Sequence, residues 1–277
     1  MNNVLSKLLR SPITVTGIVL LLAVMVMAAV AGWLYPGDPL ELVGGPLMEP
    51  FTDPELWLGT DSQGRSIGAQ LFYGARTSLL IGFAATGIAV VVGIAIGAIA
   101  GYYGGWVDTL LMRLTEAFQT VPNFILLLVL VVIFGSRIET LAFVIGAVSW
   151  TAPARLTRAE FLTLRNREFV QACRGLGMSD MRIIFSEVLP NALPPIIIYT
   201  SVVMALSILL ESSLAFLGLS DPNVASWGNL ISDGRKVLRT AWYVAVLPGF
   251  FILVTVLAVS LIGQGVNDTL NPRLNKS

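Results

Sequence analysis

The sequence predicts an all-α polytopic membrane protein with six transmembrane helices. Three observations carry that expectation: the composition, the spacing of charge-free runs, and the basic residues around them. Of 277 residues, 55% are hydrophobic and only 12% are charged; the mean hydropathy is +0.80. A soluble domain carries about a quarter charged residues, so this chain is built for lipid contact. Six runs lack Asp, Glu, Lys and Arg: Ser11–Gly37, Thr77–Val107, Ala117–Ser136, Thr140–Ala154, Val188–Leu210 and Thr240–Asn267. A spanning helix needs about 20 mostly apolar residues. Five runs meet that length outright. The fourth reaches it only through Arg155 and Leu156, where basic side chains can extend to an interface.

The same composition excludes several chemistries. Seventeen basic residues balance 17 acidic ones, and the pI is near 6.3, so no nucleic-acid partner is indicated. There is no histidine, which removes imidazole metal ligands, Ser-His and Cys-His catalysis, and the usual proton relay. The one cysteine, Cys173, has no disulfide partner and reads as a small packed residue.

Taken in order, residues 1–35 form a tail and the first helix. Lys7 and Arg10, an apolar stretch, and Ala29-Val30-Ala31 imitate a cleavable signal. The apolar stretch is longer than such signals carry, and five further spans follow, so an uncleaved helix is expected. Residues 36–76 read as an external loop rich in Pro, Gly and acids. Residues 77–267 read as a five-helix core, and 268–277 as a cytoplasmic tail. Within the second span, Ala85, Ala89, Gly93, Gly97 and Gly101 recur every four residues, one small face on which another helix can pack closely. With the N-terminus inside, eleven of the 17 basic residues fall in cytoplasmic pieces and six in external ones. That bias places both termini in the cytoplasm. A second external loop is expected at 212–239, and Trp33, Tyr35, Trp57, Trp227 and Trp242 are expected near the outer interface.

The loop at 160–190 is the polar island of the chain. Phe169, Val170, Cys173, Leu176 and Gly177 recur at helical spacings, while Arg167, Glu168, Gln171 and Arg174 lie mostly off that stripe. Gly175 and Gly177 are expected to break the helix, Ser179 or Asp180 to cap a second short one, and Leu189-Pro190 to mark the return to the membrane. One face of this island needs cover, from the chain's own helix ends or from a separate protein.

The island resembles the EAA loop of binding-protein-dependent ABC importer permeases. Gln171-Ala172-Cys173 stands at E-A-A, Gly177 at the Gly and Leu189-Pro190 at L-P; Gln171, Cys173 and Glu187 depart from the pattern. LGTDSQGRSIGAQLFYGARTSLLIG (58–82), GYYGGWVDTLLMR (101–113), WTAPARLTRAEFLTLRNREFV (150–170), ESSLAFLGLS (211–220), SWGNLI (226–231) and DTLNPR (268–273) resemble the C-type subunit of the dipeptide/oligopeptide/nickel permease family. In GQGVND (263–268) the family's usual acidic and basic residues are missing.

The resemblance implies a type I importer permease in a bacterial or archaeal inner membrane. It would pair with a homologous permease, two ATPase subunits and an extracytoplasmic binding protein. ATP and Mg would be bound by the ATPase partners, with no cofactor, metal or catalytic residue in this chain, which shows no G-x-x-x-x-G-K-[ST] motif. The ATPase-coupling loop would comprise Glu168, Phe169, Gln171, Ala172, Arg174, Gly175, Leu176, Gly177, Met178, Ser179 and Asp180, with Arg174 and Asp180 as polar contacts to the ATPase. The helix-packing seam would comprise Ala89, Gly93, Gly97 and Gly101. An ion-coupled secondary transporter would bury charges mid-span. Asp108, Glu116, Glu187 and Glu211 instead sit at the edges of the charge-free runs. The substrate expected is a peptide or peptide-like molecule, the alternative being nickel or another chelated metal.

Overall fold

The structure, a computed structural model, describes Leu8 and residues 11–270. Among the described residues the regular structure is helical, with two isolated β-bridges, Leu42 to Arg65 and Thr60 to Ser66. Four helices are each long and apolar enough to cross a membrane. These are α1 (Pro12–Leu34), α2 (Ile67–Tyr103), α8 (Asp180–Phe216) and α10 (Tyr243–Leu270). Their outward faces carry exposed apolar side chains such as Val19, Leu22, Val91 and Leu253. Lipid demands such a surface, because only the backbone needs internal partners there.

Helix α2 is the axis of the molecule. Ser66 caps it, its hydroxyl accepting from the Ala69 amide at 3.3 Å. At 1.5 Å per residue its 37 residues extend roughly 55 Å, well beyond a hydrocarbon core of about 30 Å. It begins at Ile67, not at Thr77 where the charge-free run starts. Arg76 therefore lies inside the helix, where Nε and Nη2 donate to the Ala28 carbonyl of α1 at 3.3 and 3.1 Å. A charge ends a hydropathy run, but it does not end a helix that offers it an acceptor.

Prolines reshape the middle of the chain. The expected third span, Ala117–Ser136, divides between α3 (Gly105–Thr120) and α4 (Asn123–Phe134), which bend by 82°. Val121, forced extended by the following Pro122, has φ −90° and ψ 127°. The fourth run is α5 (Ile138–Ser149), which passes through Trp150, still in right-handed helical geometry, into α6 (Thr151–Leu164). Pro153 causes the interruption: it lacks the N–H that would reach the Ser149 carbonyl, and its ring crowds that oxygen.

The polar island holds one short helix rather than two. Helix α7 (Glu168–Gly175) is separate, but Asp180 already begins α8, which continues through Leu189-Pro190 without a break. A π-helical segment, Ile183–Val188, absorbs the proline: the Leu189 amide bonds the Ile184 carbonyl five residues back. That wider turn gives the Pro190 ring room and needs no donor from it.

At the far end of α2, residues 36–66 fold on themselves. The Asp61 carboxylate accepts from the Gln63 and Arg65 amides at 2.8 and 3.0 Å and from Gln70 Nε2 at 2.8 Å. Tyr243 at the start of α10 donates to the Leu47 and Met48 carbonyls, each at 3.0 Å. Trp57 Nε1 donates to Tyr35 Oη at 2.9 Å; burial pushes the Tyr35 phenol above its usual pKa, an effect this bond opposes. Helix α9 (Trp227–Gly234) and a 3₁₀ turn, Arg235–Val237, complete this cap.

Trp227 corrects an expectation. Trp33 and Trp242 are exposed, as interfacial tryptophans are, but Trp227 is fully buried. Its Nε1 donates to the Leu71 carbonyl at 3.0 Å, and its ring stacks on Phe251 at 6.0 Å. Gly74 makes room for it, since a Cβ there would come within 3.0 Å of the indole. Trp227→Ala is expected to cost about 3–5 kcal/mol by leaving a cavity and an unpaired carbonyl. Thermal inactivation of the solubilised protein measures it, and an unchanged midpoint would contradict the assigned packing.

Candidate functional site

The candidate site lies at the end of α2 opposite the folded cap. It is built on the small-residue face of α2, against which α6 packs more extensively than any other helix pair in the described residues. A Cβ on Gly93 would sit 2.5 Å from Pro153 Cβ, one on Gly97 2.7 Å from Thr157 Cβ, and one on Gly101 2.5 Å from Phe161 Cβ. Ala85 and Ala89 continue the face, both fully buried, and Ala85 faces Gly146 of α5. Hydrogen at these positions lets two backbones approach until main-chain atoms touch, which maximises dispersion where lipid supplies no hydrophobic drive.

Two arginine side chains fasten α6 at this end of α2. Arg158 of α6 holds Asp108 of α3 through one guanidinium edge, Nε to Oδ1 and Nη2 to Oδ2, the latter at 2.6 Å. That fork raises the Arg158 pKa above its usual value and pins the start of α3 to α6. Arg165, the last-turn cap of α6, donates Nη1 to the Gly101 and Tyr102 carbonyls at 3.2 and 3.3 Å. Gly104, with φ +68°, permits it, because a Cβ there would collide with the Arg165 guanidinium.

Helix α7 and the turn after it hang from this corner. Val170 is buried among Ile183, Ile184 and Val188, with Cys173 and Met178 packed partly against the same cluster. The expected apolar stripe therefore splits. Val170, Cys173 and Met178 turn inward, whereas Phe169 is 37% exposed and Leu176 82% exposed. Glu168, Gln171, Ala172, Arg174, Gly175, Gly177, Ser179 and Asp180 are exposed as well, and Gln171 Nε2 reaches the Asn166 carbonyl at 3.3 Å. Gly175 is the last helical residue, not a breaker; the turn is made at Gly177, whose φ of +74° suits glycine. Ser179 occupies the N-cap of α8 without a side-chain cap bond.

Tyr102 joins the loop to α2. Its hydroxyl donates to Asp180 Oδ1 at 2.7 Å, and the Arg174 guanidinium lies over its ring, 5.2 Å from the centroid. The two residues expected to contact a partner are thus also tied within the chain, one from each side of the Gly177 turn. Tyr102 is buried, and sequence reasoning missed it. The only trace was a tyrosine pair, Tyr102-Tyr103, beside Gly104-Gly105 at the end of an apolar run. Nothing in this assembly resembles a catalytic constellation. It is a small helix rigidly joined to two long ones, beside a π segment of the kind that often marks functional sites.

A second polar feature was also missed. Glu211 was expected at a helix edge, but α8 continues to Phe216 and Glu211 is buried, 1% exposed. Ser78 and Ser212 donate to its Oε2, each at 3.3 Å, and Gly228 of α9 packs close to it. Its role in the structure is to hold α2, α8 and α9 together.

Comparisons with known proteins find relatives in sequence and in fold. Residues 93–276 match the family described as binding-protein-dependent transport system inner membrane component. The dipeptide transport system permease protein of Alkalihalophilus pseudofirmus is 33% identical over 274 residues, 97% of this chain and 88% of that protein. The oligopeptide transport system permease protein of Haemophilus influenzae is 34% identical over 96% of this chain and 86% of that protein. Among solved structures, the inward-facing MetNI methionine ABC transporter is similar in fold. One crystal form gives a TM-score of 0.57 at 18% identity, covering 73% of this chain and 97% of that chain. An amino acid ABC transporter gives 0.54 at 16% identity, over 70% and 91%.

Proposed function

The chain belongs to the family of binding-protein-dependent transport system inner membrane components, and from that premise we propose how it works as the permease subunit of an ATP-driven importer. It forms one half of a translocation path with a homologous permease. Its substrates are peptides or peptide-like small molecules, as the names of its dipeptide and oligopeptide relatives suggest. The chain is a multi-pass inner-membrane protein; both termini and the 160–190 loop face the cytoplasm, and the 36–66 and 217–242 segments face outward. It carries no catalytic residue. ATP and Mg are handled by two separate ATPase subunits, and an extracytoplasmic binding protein delivers the substrate.

Helix α7 is the coupling element of this reading. The observation that carries it is Leu176, 82% exposed at the tip of a helix whose inner face and both flanks are fixed to the bundle. A large apolar side chain held out on a rigid stub suits insertion into a cleft of another protein. Closure of the ATPase pair then moves α7. Tyr102 transmits the displacement to α2, and Asp180 transmits it to α8, so the spans tilt as connected bodies.

Leu176→Asp tests this directly, because an exposed side chain contributes little to the fold. The variant is expected to insert and to melt like the parent, yet to lose at least tenfold in co-purification of ATPase subunits and in transport. Normal recovery of ATPase with that variant would sink the assignment of α7.

A further inference from the structure

Between the folded 36–66 segment and α9 lies a polar crevice of about 240 Å³ whose charge is not balanced. Arg65, Gln63 and Gln70 line one wall, and Asn229, Asp233 and Lys236 the other. The Arg65 side chain takes part in no ion pair among the described residues, and its Nε is buried without a partner. The terminal guanidinium nitrogens are not buried, so they rather than Nε are the donors open to a ligand in the crevice. The nearby carboxylates are engaged elsewhere. Asp61 already accepts two backbone N–H groups and the Gln70 amide. Asp233 is paired with Lys236 at 2.9 Å. Among the residues that line the crevice, two are basic and one is acidic.

Its walls are also preorganised. The Arg65 backbone is fixed by the bridge to Leu42 and by the Asp61 amide donating to its carbonyl at 3.0 Å. Asn229 opposite is held by bonds to the Asp221 and Val224 carbonyls at 2.8 and 2.9 Å and by Ser220. The backbone of one wall and the Asn229 side chain of the other are therefore already fixed, which lowers the ordering cost of binding. Planar guanidinium donors match a carboxylate better than a spherical ion.

We infer that this crevice binds the free carboxylate of an incoming peptide-like substrate, with Arg65 as the anchoring residue. The inference rests on the importer reading above and on the outward orientation of this end. A half-open crevice of this size suits the end of a small molecule rather than a flat protein surface.

The test footprints Arg65 in the assembled complex in lipid nanodiscs. Phenylglyoxal modification of Arg65 is followed by peptide mass spectrometry, with exposed Arg239 as the internal reference. Dialanine is expected to slow Arg65 modification at least threefold, while dialanine amide leaves it unchanged. Equal protection by both, protection by neither, or protection only by unliganded binding protein overturns the inference. Transport kinetics give a second readout. Arg65→Gln is expected to raise KM for dialanine about tenfold with kcat little changed, and Arg65→Lys to recover part of that loss. A parallel fall in kcat and thermal stability would instead assign Arg65 a structural role. If dialanine protects Arg65 but is not transported, the peptide-importer reading falls and the carboxylate site stands. If it is transported without protecting Arg65, the site falls alone.

Discussion

Gly97→Leu is expected to yield a chain that enters the membrane but does not hold its helices together. A Cβ at Gly97 would meet the Ala154 carbonyl oxygen, come within 2.7 Å of Thr157 Cβ and within 2.9 Å of the Arg158 amide nitrogen. Two of those neighbours are backbone, so no rotamer change relieves the overlap and the helices have to separate. Overpacking of this kind costs about 3 kcal/mol, the upper end for an inserted side chain. Separation would also strain the Arg158–Asp108 fork one turn away. By the usual scaling of stability to temperature, the melting midpoint should fall by roughly 6–12 °C. Gly87→Leu supplies the control on the same helix, because a Cβ at Gly87 meets nothing within 4 Å. The seam assignment fails if the two variants melt together, and it stands if only Gly97→Leu collapses in detergent or in native-membrane proteolysis.

Tyr102→Phe is expected to leave the fold intact and uncouple the transporter. The phenyl ring keeps its packing and its place beneath Arg174, and only the bond to Asp180 disappears. A hydrogen bond to a charged acceptor contributes about 1.5–3 kcal/mol. The Asp180 carboxylate is exposed and can turn to water, so the lower figure applies. That loosens the joint between α2 and the start of α8 without unfolding either. In proteoliposomes the assembled complex should then hydrolyse ATP at near its parental basal rate while transporting five- to tenfold less substrate per ATP. Tyr102→Ala removes a buried ring as well and should lower the melting midpoint, which distinguishes a packing loss from a coupling loss. A parental transport-to-hydrolysis ratio in Tyr102→Phe would falsify the proposed role of this joint.

The two variants probe features of different legibility. The seam was readable because helical periodicity is local: residues four apart must share a face, and glycine there admits a close neighbour. What it packs against was not readable, since α6 is contributed by residues some sixty positions away whose own pattern is mixed polar and apolar. Tyr102 had no periodic signal at all. Its importance depends on Asp180 and Arg174 being brought to one point by the Gly177 turn, and separation along the chain hides that meeting. Arg76, Trp227 and Glu211 mark a third kind of difference. Each was placed by residue type, as a boundary charge, an interfacial aromatic and an edge acid. Each lies inside the bundle because a specific acceptor or donor waits there: the Ala28 carbonyl, the Leu71 carbonyl, and the Ser78 and Ser212 hydroxyls.

By itself the sequence determined that this protein lives in a bilayer, that it is helical, and where the polar loop at 160–190 interrupts the apolar runs. These follow from composition and short-range periodicity, because transfer into lipid and helical hydrogen bonding are summed residue by residue. Only the tertiary structure decided where the helices bend, which charges are paired inside the bundle, and how α7 is joined to the two longest spans. Those depend on polar groups meeting across long stretches of chain. A buried polar group is tolerated only where geometry supplies its partner, and composition carries no record of that geometry.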